Sequence, residues 1–157
     1  MKYHKQTVLN EDYGGGKGSC YPTAIACLLD LELEQVPYFN LFYWSEEESA
    51  KFTKILREDY PDEDQYNKFF WFYRDLWDHA MKAFLYSRGI VPKHIEEDKK
   101  IKKWIKANPH TEYMAIGDSP RGVRHVCIYK NSKMIHDPHP SNSGILKIDY
   151  IEFLDPA

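Results

Sequence analysis

A cysteine, a histidine and an aspartate follow one another along this chain in the order that a thiol nucleophile, its base and an orienting carboxylate require. Cys20 comes after a glycine-rich stretch, His125 opens a predicted strand, and Asp137 ends the next strand. A thiol becomes a good nucleophile when a base holds it as the thiolate, and the base needs an acceptor on its far nitrogen. The three residues therefore predict nucleophilic thiol chemistry.

The local setting of Cys20 favours a reactive thiol. Residues 20–30 are predicted to form an apolar helix, with Ser19 as its N-cap and Pro22 tolerated in the first turn. At a helix start, backbone N–H groups and the positive end of the helix dipole favour a thiolate. A cysteine in this place is more often an inert buried thiol, so this stretch alone leaves both interpretations open.

Two amide side chains precede Cys20 in the chain, those of Gln6 and Asn10. An oxyanion hole consists of N–H donors aimed at the developing negative charge, and a side-chain amide can supply one of them beside the nucleophile's own backbone N–H. We take Gln6 as the candidate for this second donor.

A sheet in the C-terminal third must hold the base and the carboxylate. Strands are predicted over residues 113–117, 123–129, 133–137 and 145–149. A tight turn is expected at Asn131 and Ser132. Pairing through that turn makes His125 and Asp137 neighbours at one edge of the sheet, and a helix packed on the sheet brings Cys20 to the same edge.

The middle of the chain is predicted to be mainly helical. After a helical turn at residues 31–37 come an aromatic segment (38–44), an acidic segment (45–68), a helix (69–88) ended by Gly89, a short strand stopped by Pro92, and a charged helix (96–106). We therefore predict one α+β domain over residues 1–157, with a helical insertion at about residues 40–110.

The composition excludes several classes of protein. The chain has 157 residues, 43% of them hydrophobic, and a net charge of −3, which argues against a dedicated nucleic-acid binder. Neither a membrane-spanning run nor a signal peptide is evident, so a cytoplasmic location is expected. Three cysteines do not make a disulfide framework, and Cys27 and Cys127 are expected to be core residues.

Short motifs at both ends of the chain carry a family resemblance. They are Gln6-Thr7, Gly18-Ser19-Cys20 and residues 24–29 and 33–39 near the N-terminus, then residues 117–126 and 136–141. They resemble small phage and bacterial proteins with a papain-like cysteine-peptidase fold. The layout is also similar to the leader peptidases of bacteriocin exporters, in which the acid likewise stands in an Asp-Pro pair. The resemblance covers about residues 5–39 and 113–148.

The resemblance implies a papain-like fold, with the nucleophile helix packed on the C-terminal sheet, and acyl-transfer chemistry. Cys20 would be the nucleophile, His125 the base and later the general acid, Asp137 the orienting residue and Gln6 the oxyanion donor. The implied reaction attacks an amide, peptide or isopeptide carbonyl, forms a thioester and hydrolyses it. Transfer of the acyl group to an amine stays open. This mechanism needs no cofactor.

Four residues beside the predicted site are candidates for substrate binding. Ser19 and Tyr21 flank Cys20, and Arg121 and Arg124 precede His125. The arginines suit a carboxylate or phosphate, although solvated arginines explain them equally well. The expected substrate is a peptide, a protein or a small amide. Nucleic acid and membrane are not expected partners.

A metal site is one rival hypothesis. His125, His136, Asp137 and His139 are all capable ligands and lie close in sequence. Neighbouring residues of a strand point to opposite faces, so His136 and Asp137 are not expected to share one ion. We predict no metal.

A catalytically silent binding protein is the second rival. A phage-encoded protein of this kind would engage a factor of its host, in the host cytoplasm, through the aromatic segments at residues 38–44 and 71–77. A fold does not guarantee activity. The complete set of Cys20, His125 and Asp137 argues against a decayed site, because loss of the nucleophile alone would abolish activity.

Overall fold

The computed structural model describes residues 1–7, 9, 19–37 and 78–157, together with isolated positions between residues 54 and 76. These parts form an α+β arrangement around a five-stranded antiparallel sheet. The predicted loop before Ser19, the aromatic segment 38–44 and residues 69–75 and 77 of the predicted helix over residues 69–88, with Trp71 and Trp77, lie outside the described residues.

The described helices are α1 (Cys20–Leu28), a 3-10 turn (Leu33–Gln35), a helical stretch over residues 78–86, and α2 (Asp98–Ala107). None of them is long and apolar enough to cross a lipid bilayer. The strands are β1 (Ile90–Ile95), β2 (Glu112–Asp118), β3 (Arg124–Lys130), β4 (Lys133–His136) and β5 (Lys147–Pro156). They lie side by side in the order β1-β5-β2-β3-β4, each antiparallel to its neighbours.

Both faces of the sheet are covered. On one face α1 packs against β2 and β3, with Ala24 and Ile25 fully buried against Val126 and Ile128. On the other face α2 packs through Ile101 and Ile105, which join a cluster with Tyr113, Ala115, Ile151 and Phe153. Because α1 is enclosed by the core along its length, its first turn is held in a fixed place beside β3.

Helix α1 begins at Cys20 as predicted and ends two residues early. Asp30 has a φ of 58°, a left-handed conformation that cannot continue the helix, and the N–H of Leu31 turns back to the carbonyl of Ala26 at 2.9 Å. Ser19 stands at the N-cap, but its side chain makes no capping hydrogen bond. Serine is therefore in the expected place without the expected contact.

Two predicted turns are confirmed. Gly89 has a φ of 68°, and its N–H bonds to the carbonyl of Tyr86, which ends the helical stretch before β1. Asn131 and Ser132 have φ values of 48° and 62°, as the two-residue hairpin turn between β3 and β4 requires.

Two strands depart from the prediction. β1 runs through Pro92 to Ile95, because β1 is an edge strand and pairs with β5 alone, so the missing N–H of proline is tolerated. β5 begins at Lys147 rather than residue 145 and continues to Pro156. The N–H of Leu146 instead bonds to the carbonyl of Asp118 at 2.7 Å, which keeps that residue in the connecting loop.

Candidate active site

The side chains of His125 and Asp137 meet at the edge of the sheet. Nε2 of His125 lies 2.6 Å from Oδ1 of Asp137, and each residue is only 2% exposed. With Nε2 engaged by the carboxylate, the remaining ring nitrogen, Nδ1, is the one left to act on a thiol. The pair therefore has the base-and-acceptor arrangement expected from the sequence.

A β-bulge brings these two residues to the same side of the sheet. It lies between Ile128 and Tyr129 of β3 and shifts the register of β4 by one residue. A shift of one residue exchanges the two faces of a strand. Asp137, which follows the last residue of β4, is thereby on the same face as His125 and Cys127.

The carboxylate of Asp137 is held in its ionised form by N–H donors. Burial alone would raise its pKa, but the hydrogen bond with His125 and two backbone N–H groups hold that pKa well below its usual range. Gly144 N–H lies 2.8 Å from Oδ2, and His139 N–H lies 2.8 Å from Oδ1. Both carboxylate oxygens are thus occupied by donors from the loop that follows β4.

The imidazole of His125 is correspondingly biased toward its charged form. Burial lowers its pKa, but the hydrogen bond to Asp137 and the contacts of the ring with the thiols of Cys127 and Cys20 raise that pKa well above its usual value. An imidazolium next to a thiol stabilises the thiolate. The structure therefore joins all three predicted residues, Cys20, His125 and Asp137, in one group.

The nucleophile candidate comes from α1. Cys20 is the first residue of that helix and is partly exposed, whereas Cys27 and Cys127 are fully buried. The N–H of Thr23 bonds to the carbonyl of Ser19 at 3.1 Å, so regular helical bonding starts at the residue before the thiol. Cys20 is thus the one cysteine of the three with access to solvent.

An N-terminal arm, residues 1–7, brings Gln6 to the same edge of the sheet. The N–H of Gln6 donates to the carbonyl of Pro138 at 2.9 Å, immediately after Asp137, and the side chain of Gln6 is buried. Nζ of Lys5 donates to the carbonyls of Asp137 and His139 at 2.5 and 3.2 Å. The arm is therefore tied to the loop that follows the carboxylate of Asp137.

The four predicted substrate-binding residues have different surroundings. Ser19 is buried at the N-cap, and Arg121 is partly buried. The hydroxyl of Tyr21 donates to the carboxylate of Glu152. Nη1 of Arg124 lies 2.9 Å from Asp149. Tyr21 and Arg124 therefore already have partners within the protein, so a substrate would have to compete with them.

Sequence reasoning missed that Cys127 and His139 also lie next to His125. The thiol of Cys127 hydrogen-bonds with His125, and the ring of His139 meets the ring of His125 edge-on, with centroids 6.0 Å apart. The signal for Cys127 was present in the sequence, because a residue two positions along a strand from His125 occupies the same face. His139 lies in a loop and gave no such signal.

Metal-ligand geometry is confined, among the described residues, to His125, Cys127 and Asp137, whose donor atoms lie within 4.8 Å of one another. Nε2 of His125 is already bonded to Asp137, and both oxygens of Asp137 accept N–H donors. An ion would have to displace these bonds. The set thus fits a hydrogen-bonded pair better than a metal centre.

The other two histidines of the metal hypothesis bind elsewhere. Nε2 of His136 lies 2.6 Å from the carbonyl of His4. Nδ1 of His139 lies 2.7 Å from the hydroxyl of Ser141. His136 is therefore hydrogen-bonded to the N-terminal arm, and His139 is hydrogen-bonded within the loop after β4.

Comparison of the chain with family models, with curated proteins and with solved structures finds no match.

Proposed function

We propose that this protein is a thiol hydrolase with a papain-like arrangement, which cleaves an amide, peptide or isopeptide bond through Cys20. The observation that carries the proposal is the imidazole of His125. One side of it is bonded to a buried aspartate at 2.6 Å, and it also contacts the thiol of Cys20. A histidine that is buried, oriented by a carboxylate and next to a partly exposed thiol has the three properties of a catalytic base for that thiol.

The proposed reaction proceeds in two steps. The thiolate of Cys20 attacks the carbonyl carbon, the C–N bond breaks, and protonated His125 gives its proton to the departing amine. Water then attacks the thioester while His125 takes a proton from it, and the C–S bond breaks to release a carboxylic acid and restore the thiolate. Asp137 keeps the ring in place throughout.

Gln6 completes the proposed site as an oxyanion donor. Both steps place negative charge on the former carbonyl oxygen, and an amide N–H aimed at that oxygen stabilises the transition state. The buried Gln6 side chain, anchored through its backbone to Pro138, and the backbone N–H of Cys20 would supply the two donors.

The layout of the fold supports the papain-like part of the proposal. The helix that begins at the nucleophile packs on an antiparallel sheet, and the base and the acid come from two successive segments at one edge of that sheet. Peptides, proteins and small amides are all proposed substrates.

The decisive experiment is alkylation of each cysteine by iodoacetamide across pH, mapped by mass spectrometry. The proposal predicts that Cys20 reacts well below the pKa of about 8.5 of an ordinary thiol, while Cys27 and Cys127 stay protected. His125→Ala should move the Cys20 profile to higher pH, and Asp137→Asn should move it the same way. His94→Ala is the control, because His94 is exposed on β1.

Turnover separates an enzyme from a silent binding protein. With p-nitrophenyl acetate, the parent should release acetate from acetylated Cys20, whereas His125→Ala should accumulate the thioester because it lacks the base for water. If Cys20 behaves as an ordinary thiol with and without His125, the hydrolase proposal fails. The binding-protein alternative, with a host protein as partner, would then take its place.

A further inference from the structure

A cavity of about 590 Å³ opens beside the first turn of α1. Three separate pieces of the described chain line it. They are Thr7 of the N-terminal arm, Ser19, Pro22 and Thr23 at the start of α1, and the 3-10 segment with residues 33–37. Its size falls in the range of cavities that bind small molecules or substrate side chains, roughly 300–1,000 Å³.

The lining of the cavity includes the sequence neighbours of two proposed site residues. Ser19 immediately precedes the nucleophile Cys20, and Thr7 immediately follows the proposed oxyanion donor Gln6. A substrate with its carbonyl group between Cys20 and Gln6 would pass next to both of these lining residues, which makes the cavity a candidate for the group beside the scissile bond.

Among the described residues that line the cavity, Glu34 is the one with a charged side chain, and its charge is negative. Glu34 is exposed, and among the described residues no lysine, arginine or histidine forms an ion pair with it. Its neighbour Glu32, by contrast, is bonded to Nζ of Lys2 at 2.5 Å. The walls beside Glu34 are apolar at Leu33 and Val36, and the latter is buried.

The segment that carries Glu34 is fixed by its own hydrogen bonds. The side-chain oxygen of Gln35 accepts a hydrogen bond from the backbone N–H of Glu32 at 2.8 Å. In return, the side chain of Glu32 accepts a hydrogen bond from the backbone N–H of Gln35. This reciprocal cap holds the 3-10 turn, so the carboxylate is presented from a defined backbone.

We propose that this cavity binds a basic side chain, lysine or arginine, next to the scissile carbonyl, with Glu34 as the specificity-determining residue; this rests on the hydrolase function proposed above. The methylene groups of such a side chain would lie on Leu33 and Val36, and its cation would reach Glu34. Long basic side chains combine an apolar stem with a charged tip in this way. Charge complementarity of this kind discriminates between substrates more than it adds affinity.

The test compares three dipeptide chloromethyl ketones that are identical except for lysine, Nε-acetyl-lysine or glutamate next to the reactive ketone. The rate of Cys20 labelling is measured for each by mass spectrometry. The lysyl probe should label at least about threefold faster than the acetylated one, as expected for one ion pair at a partly exposed site. Glu34→Gln should reduce this ratio to about one, and Glu34→Lys should favour the glutamyl probe.

A charge reversal on the far side of the molecule is the matched control. Glu97 precedes α2, which packs on the opposite face of the sheet, so Glu97→Lys makes the same change in net charge and should leave the lysyl preference intact. A parent ratio near one, or a ratio that survives Glu34→Gln, overturns the assignment. An equal loss in Glu97→Lys overturns it as well, because the preference would then come from net charge.

Iodoacetamide, which is uncharged and has no side chain, separates failure of the cavity from failure of the hydrolase. If all variants retain the low-pH reactivity of Cys20 toward iodoacetamide while the lysyl preference is absent, only the cavity assignment is wrong. If Cys20 reacts as an ordinary thiol in every variant, the hydrolase proposal fails and the assignment of the cavity fails with it.

Discussion

His125 and Asp137 are twelve residues apart in the chain, and their side chains meet at 2.6 Å although a simple hairpin would separate them. Without the bulge between Ile128 and Tyr129, the residue after His136 would face Val126 and point to the other side of the sheet. With the bulge, Asp137 points to the same side of the sheet as His125. The contact on which the proposed chemistry depends therefore comes from one irregularity in strand pairing.

Removing the carboxylate of Asp137 should lower the stability of the protein. Asp137→Ala leaves a buried imidazole with no acceptor and two loop N–H groups without their partner, so we expect a loss of about 3 kcal/mol in the free energy of unfolding. Asp137→Asn keeps the shape and one acceptor oxygen and should lose less. Urea unfolding at about pH 6 measures both losses, and equal stability of the parent and Asp137→Ala would contradict the pairing.

The same pair should give the protein a defined pH window of stability. Asp137 has a lowered pKa in the folded protein, so its contribution is present above the unfolded value of about 3.9 and is lost as pH falls. His125 has a raised pKa, so its contribution is present below about 6.5 and is lost as pH rises through the folded value. Both contributions are complete between about pH 4 and about pH 6.5.

Urea unfolding of the parent and of a double variant, His125→Gln with Asp137→Asn, across pH checks this window. The stability difference between the two proteins should be largest inside the window and should shrink on both sides. A difference that does not vary with pH would show that the two groups have the same pKa values folded and unfolded.

Gly117 should not tolerate a side chain. It is paired with His125 across β2 and β3, and a Cβ atom added there would lie 1.9 Å from the carbonyl oxygen of Lys147, where β5 pairs irregularly with β2. Because the clashing atom belongs to the backbone, the clash can be removed only if β5 shifts. We expect Gly117→Ala to lower the free energy of unfolding by about 3 kcal/mol.

Gly122→Ala is the comparison for this prediction. Gly122 has a φ of 77° and open space around it. Alanine there would clash with no neighbour, and only its unfavourable left-handed backbone conformation would lower the free energy of unfolding, by about 1 kcal/mol. Thermal or urea unfolding of the two variants should rank Gly117→Ala as clearly the less stable. The reverse order would mean that β5 yields easily at this position.

The sequence was sufficient for the parts of the site that depend on local rules. The start of α1 at Cys20, the two-residue turn at Asn131 and Ser132, and the strand that carries His125 all follow from hydrophobic period and turn chemistry. The bulge before Asp137 does not, because it depends on how β4 pairs and not on which residues β4 contains.

Tertiary pairing also explains the errors in β1 and β5. Pro92 indicates a strand end only if its N–H is needed, and a sheet edge removes that need. Residues 150–156 contain Glu152 and Asp155, which obscured the strand in the sequence. The polar residues are accommodated by partners from other elements, Tyr21 for Glu152 and Lys93 for Asp155.

Glu152 provides a prediction about how α1 is held next to the nucleophile. This carboxyl group lies on β5, and the hydroxyl of Tyr21, the residue after Cys20, donates to it. Burial raises the pKa of Glu152, and the bond from Tyr21 only partly offsets that effect. A group with a raised folded pKa favours folding fully below its unfolded value of about 4.3 and loses that contribution as pH rises.

Glu152→Gln should therefore stabilise the protein at alkaline pH and leave it nearly unchanged near pH 4, because glutamine keeps the acceptor for Tyr21 but carries no charge to bury. We expect a gain of about 1 kcal/mol at pH 8, measured by urea unfolding. Glu112→Gln is the control, since Glu112 is partly exposed and lies 3.5 Å from Lys130. Its effect should stay within about 0.5 kcal/mol. If Glu152→Gln instead destabilises the protein at alkaline pH and has no effect near pH 4, the ionised carboxylate is itself the partner that Tyr21 requires, and α1 is anchored beside Cys20 by a charged hydrogen bond.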